Sequence, residues 1–204
     1  PLMTNETNHL TKKTPWNQQE KQRWFEQQTI QRSYHDDVIK TIDSLSDLTC
    51  EQYGALSIDS ERYPLFLLKS PSWDPTKPTA LITGGVHGYE TSGVHGALRF
   101  MMTEINNHPE YNFIIAPCIS PWSYETINRW NPKAIDPNRS FYDDSPSEEC
   151  HALMNALKDI GTEFCLHIDL HETTDTDKTV FQPSLSARDG TELDTSNTPD
   201  GFYL

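Results

Sequence analysis

Three side chains with the chemistry of metal ligands stand at two places in the sequence: His87 and Glu90 in G-G-V-H-G-Y-E, and His171 in H-I-D-L-H-E-T. Two imidazoles and one carboxylate make the set that a catalytic zinc uses when one coordination position is left open for water. The H-x-x-E spacing sets two side chains three residues apart, where a turn entering a helix can aim both at one point. Gly84, Gly85 and Gly88 around it permit the tight backbone path that this requires. Taken alone the pair is a weak signal, since such a pair often arises by chance among polar residues of a turn, and its placement after L-I-T-G-G strengthens it. His167 precedes His171 by four residues, so both point to the same face of a strand. It competes for the ligand role, but in mid-strand it reads as a core histidine with a hydrogen-bonded partner.

A second group lies between Ser120 and Phe141, where Arg129 and Arg139 stand in a chain otherwise poor in basic residues, with Asn138 adjacent and Asp136 close by. A guanidinium recognises a carboxylate through two parallel hydrogen bonds, and a neighbouring amide can add a third. The plainer alternative is that these arginines pair with surface acids.

The elements that must position these residues follow from hydropathy periods. Y-P-L-F-L-L-K (Tyr63 to Lys69), T-A-L-I-T-G-G (Thr79 to Gly85), N-F-I-I-A-P-C-I-S and F-C-L-H-I-D-L-H-E read as four strands. Between the second and third, Val94, Ala97, Leu98, Met101 and Met102 recur at helical spacing, which predicts a helix from about Tyr89 to Ile105 with its apolar stripe on a sheet. Ser145 as N-cap and Gly161 after the end frame another helix before the fourth strand. One or two amphipathic helices are expected between Trp16 and Leu48, with Trp24, Phe25, Ile30, Val38, Ile39 and Ile42 on the apolar side. A loop-rich tail follows Thr173, with a strand at Thr179 to Gln182. Alternating strands and helices imply an α/β domain with a mixed, largely parallel sheet flanked by helices. In such sheets ligands gather at the carboxyl ends of strands, and His87, Glu90 and His171 all fall there.

The 204 residues suffice for one domain, 1–204, comprising a helical segment 1–48, a core 53–181 that carries the motifs and a tail 182–204. A net charge of −14 disfavours nucleic acid and anionic membrane surfaces. Half of the 30 acidic residues follow Asn131, which reads as a solvated acidic face. Cys50, Cys118, Cys150 and Cys165 are widely spaced and read as reduced core thiols. Neither a signal peptide nor a membrane span is legible, so a soluble cytoplasmic protein is expected.

G-G-V-H-G-Y-E, N-R-W-N-P-K-A-I-D-P-N-R-S-F and H-I-D-L-H-E-T occur in the order and setting found in the zinc carboxypeptidases. The chain resembles that family and the related aspartoacylase and succinylglutamate desuccinylase deacylases, from about Tyr53 to Phe181. The resemblance implies a carboxypeptidase-like (phosphorylase/hydrolase-like) fold and one zinc ion held by His87, Glu90 and His171. It also implies Arg129 at the oxyanion, Asn138 and Arg139 on the terminal carboxylate of the substrate, and Asp136 on the far nitrogen of His87. Ala134 and Ile135 depart from the pattern, since many members carry glycine before the Asp-x-Asn-Arg run. The general-base glutamate of the family comes from beyond the third ligand, and only 33 residues follow His171 here. Glu172 adjoins a ligand and points to the other face, and Glu192 is the remaining glutamate. The expectation is that the chain is a fragment with its base beyond Leu204. The implied activity is hydrolysis of an amide or peptide bond beside a free carboxylate, on peptides or on N-acyl amino acids. Peptides are preferred, and a zinc-binding module without catalysis is the alternative.

Overall fold

A computed structural model describes residues 14–173 and 177–194. The expectation that the general base lies beyond Leu204 falls outside those residues. Among the described residues five strands form one sheet: β1 (Thr49–Ala55), β2 (Pro64–Lys69), β3 (Thr79–Gly84), β4 (Asn112–Ala116) and β5 (Phe164–Leu170), in the spatial order β1-β2-β4-β3-β5. β1 and β2 are antiparallel, as are β2 and β4, while β3 runs parallel to both β4 and β5.

Among the described residues the α-helices are α1 (Gln18–Glu26), α2 (Lys40–Asp43, continuing a π-helical turn at His35–Ile39), α3 (Thr91–Thr103), α4 (Pro121–Thr126), α5 (Glu148–Ile160) and α6 (Gln182–Asp189). They cover both faces of the sheet because the strands alternate with period two. Ala80, Ile82, Phe113 and Ile115 pack with Val94, Ala97, Leu98 and Met101 of α3 and with Val38 and Ile42 from the N-terminal region. Leu81, Ile114 and Ala116 turn the other way, onto Leu153 and, more peripherally, Leu157 of α5. No helix among the described residues is long and apolar enough to cross a membrane.

Several expectations need correction. β1 escaped notice because it lies at the sheet edge with its first four residues exposed, so T-C-E-Q-Y-G-A carries little apolar alternation. Thr179 to Gln182 is not a strand: a π-helical turn at Asp177–Phe181 runs into α6, with Pro183 in the first turn and Gly190 ending the helix at φ +65°. The tail from 182 therefore opens with a helix rather than with loop. Ser147, not Ser145, caps α5 by accepting from the Cys150 N–H. Cys118 and Cys150 are buried, but Cys50 and Cys165 are exposed, each on a strand at a sheet edge; all four are free. Ile30 is exposed as well. The largest difference concerns β5, which pairs with β3 alone among the described residues, with Leu166 and Ile168 exposed. His167 is consequently exposed rather than a core histidine.

Candidate metal centre

β3 ends at Gly84, and the chain turns through Gly85 at φ +65° before reaching His87. Gly88 then backs onto the peptide joining Ser123 to Tyr124, so closely that a Cβ there would lie 2.0 Å from the Ser123 carbonyl carbon. No side chain fits that space, which fixes residue 88 as glycine on steric grounds. Arg32, from the segment before α2, holds the same turn from outside. Its Nη2 donates to the Gly88 carbonyl at 2.6 Å, Nη1 to Thr91 Oγ1 at 2.7 Å and Nε to the Tyr124 carbonyl at 2.6 Å.

The turn delivers His87 and Glu90 almost wholly buried. His171 arrives one residue past the end of β5, which lies beside β3 in the sheet. The Nδ1 atoms of His87 and His171 each face one oxygen of Glu90, at 2.7 Å in both cases. The far nitrogens are held as symmetrically: His87 Nε2 by Asp136 Oδ1 at 2.8 Å, and His171 Nε2 by Asp169 Oδ2 at 2.7 Å. A proton on each Nε2 leaves Nδ1 with a lone pair to offer, which is the arrangement that orients a metal-bound imidazole. One ligand atom from each of His87, Glu90 and His171 lies within 4.8 Å of the others. Two aligned imidazoles and a carboxylate, with two further carboxylates behind them, fit a divalent cation such as zinc.

The acids and histidines of the cluster also shift one another's charge, and a cation bound between them would take the place of the proton that His171 otherwise shares with Glu90. The carboxylates of Asp169 and then Glu90 push His171 up to about 10, against the opposing effect of burial. Burial raises the Glu90 carboxyl, but the two imidazoles bonded to it outweigh that and bring it down to about 2. Burial also raises Asp136, and its bonds to His87 and Arg129 reverse the effect, holding it well below the usual carboxylate range.

A cleft of about 420 Å³ opens in front of this cluster, lined by all three of these residues together with Arg129, Asn138 and Arg139. Each site residue singled out in the sequence is thus at or directly behind the cleft. Arg129 donates through Nε to Asp136 Oδ2 at 3.0 Å and through Nη1 to the Tyr89 hydroxyl at 3.2 Å and Asp177 Oδ1 at 3.4 Å. Tyr89 in turn donates its hydroxyl to Asp177. Arg139 is exposed at the mouth. Ala134, the departure noted in the sequence, is buried and adopts φ +56°, the left-handed conformation that favours glycine. Glu172 accepts from the backbone N–H and the hydroxyl of Ser92 at the start of α3, which ties it to a structural bond. Glu192 is exposed and is not among the residues lining the cleft.

Sequence reasoning missed Asp169, Arg32 and Asp177. Asp169 was within reach, because the alternation that set His167 beside His171 puts Asp169 on that face too. Arg32 and Asp177 carry no local signal, since their partners are remote in sequence.

A mixed sheet with helices on both faces and a His-Glu-His cluster at the ends of two adjacent parallel strands defines the carboxypeptidase-like class of α/β proteins. Residues 76–195 match the model of the succinylglutamate desuccinylase/aspartoacylase catalytic domain, and the chain belongs to that family. No curated protein matches the chain in sequence. Among solved structures, a candidate carboxypeptidase A from Shewanella denitrificans OS-217 superposes with a TM-score of 0.58 at 20% identity, over 82% of this chain and 52% of the other. A candidate metallopeptidase from Shewanella amazonensis SB2B gives 0.59 at 22%, over 72% and 61%. Bovine thrombin-activatable fibrinolysis inhibitor, in complex with a tick carboxypeptidase inhibitor, gives 0.56 at 17%, over 80% and 70%. At these identities the likeness is one of fold. The chain spans about half the length of the Shewanella denitrificans protein (52%).

Proposed function

We propose that the chain forms the metal-binding core of a zinc-dependent hydrolase that cleaves an amide bond beside a free carboxylate. The observation that carries this is the convergence of His87 Nδ1, Glu90 and His171 Nδ1, with both Nε2 atoms anchored on carboxylates. A zinc ion held there would supply a Lewis acid for the scissile carbonyl and for water.

The chain's own residues would do the rest. Asp136 and Asp169 keep the two imidazoles turned so that Nδ1 faces the cleft. Arg129, anchored on Asp136 and lining the cleft, would stabilise a developing oxyanion there; removing one such donor typically costs about 3–4 kcal/mol of barrier. Asn138 and Arg139, at the mouth, would dock the substrate carboxylate. Glu172 lines the cleft but is tied through Oε2 to Ser92 of α3, and Glu192 lies away from the cleft, so neither is assigned as the general base, which would come from outside the described residues.

Of the two substrate classes, the match to a deacylase family favours N-acyl amino acids over peptides, against the preference drawn from sequence alone. Metal analysis combined with release assays on both substrates tests the reading. Zinc bound by the chain, and hydrolysis of N-acyl amino acids by the protein that also carries the base, both lost in His171→Ala, are expected. Hydrolysis of peptides alone would restore the peptidase version. Zinc bound without any hydrolysis would support a binding module, and failure to bind zinc would refute the reading.

A further inference from the structure

The bond that Asp169 makes to His171 leaves its second oxygen to be accounted for. Asp169 Oδ1 accepts from Thr83 Oγ1 at 2.7 Å, and the same hydroxyl lies 2.9 Å from His167 Nε2. Thr83 sits on β3 directly opposite Asp169 in the ladder, and its side chain is buried in the sheet. A buried hydroxyl has one proton to give, and an ionised carboxylate can only accept. The Thr83 proton therefore goes to Asp169, and Thr83 accepts from an Nε2–H of His167. With both oxygens of Asp169 bonded, one to β3 and one to His171, its carboxylate cannot rotate without breaking a buried hydrogen bond.

We propose that Thr83 is a positioning residue for the metal ligand His171, acting through Asp169, and that His167 closes the outer end of this chain of bonds. The inference rests on the metal-centre reading above and adds to it two residues outside the ligand set. It also gives the exposed His167 a part in the site other than as a competing ligand. Partners behind a metal-bound imidazole typically change metal affinity by about 10–100-fold when lost. Thr83 stands one bond further out, so a loss nearer the lower end is expected.

The test measures zinc affinity by chelator competition and the visible absorption of the cobalt(II)-loaded protein, for the whole chain and its variants. Thr83→Val keeps the shape and removes the hydroxyl; about a tenfold loss of zinc affinity and an altered cobalt spectrum are expected. Thr83→Ser keeps the hydroxyl and should restore both, which a purely structural role for the residue would not predict. His167→Ala should weaken zinc by a smaller factor, about threefold. If Thr83→Val fails to fold, Thr83→Ala and the exposed His167→Ala carry the same comparison. Unchanged affinity and spectrum in the Thr83 variants overturn the inference while leaving the metal centre standing. Absence of zinc and cobalt binding in the unaltered chain instead overturns the metal centre itself.

Discussion

His87 and His171 offer the same atom, Nδ1, to the cleft, and each owes that choice to a carboxylate on its other nitrogen. Asp169→Asn should therefore lower zinc affinity by about 10–100-fold in chelator competition while leaving the circular dichroism spectrum of the protein unchanged. A fall as large in a distant surface variant such as Asp47→Asn would show the assay to be reading something else. A different kind of strain sits at Ile127, which ends α4 at φ +51°. A β-branched side chain in the left-handed region is unfavourable by roughly 1–2 kcal/mol, and glycine relieves most of it. Ile127→Gly should raise the denaturation midpoint by the equivalent of about 1 kcal/mol, and a lowered midpoint would contradict that account. Both features mark what residue types can and cannot disclose. The histidines and Glu90 were legible because few residue types bind metal and their positions after strands were plain. The left-handed backbone at Ile127 was not, because an isoleucine there runs against its own preference.

The turn between β3 and α3 works as a unit with α4 and with the segment holding Arg32. Arg32 bonds to it at Gly88 and Thr91 and to α4 at Tyr124, and lies 3.7 Å over the Tyr124 ring, so its loss frees the turn on one side. Arg32→Gln is expected to destabilise the protein by about 1–3 kcal/mol, and a change below the error of a urea titration would refute the clamp. On α5, Glu149 is buried in the first turn with Oε1 unpaired, and burial pushes its carboxyl up from the ordinary 4.5. A folded value above the unfolded one means that its contribution to stability is complete below pH 4.5 and is lost as pH rises through the folded value. Glu149→Gln should match the unaltered protein near pH 4 and exceed it by about 1 kcal/mol at pH 7; equal stabilities at both would refute the assignment. Elements with a clean period were legible from the sequence: β3, β4, α3 and α5. β1 and α6 were not, since an exposed edge strand lacks alternation and T-V-F looks like a strand until Phe181 is seen packing on Tyr89 at 4.3 Å.

Across the whole molecule the cluster joins two strands of different standing. β3 is central and buried throughout, whereas β5, among the described residues, pairs with β3 alone and is largely exposed. Zinc at 100 times its dissociation constant should stabilise the protein by about 2.7 kcal/mol, which for a chain of this size raises the melting temperature by roughly 5–10 °C. A melting temperature indifferent to zinc but sensitive to magnesium would point to the wrong ion. Because His87 and Glu90 follow β3 and His171 follows β5, an ion bound there would act as a clasp between these two strands. Amide protons of β5 would then exchange with solvent more slowly in the loaded protein, while those of β1, on the opposite margin, keep their rate. The three ligands would thus decide, besides what the cleft can hold, how often that side of the sheet comes open.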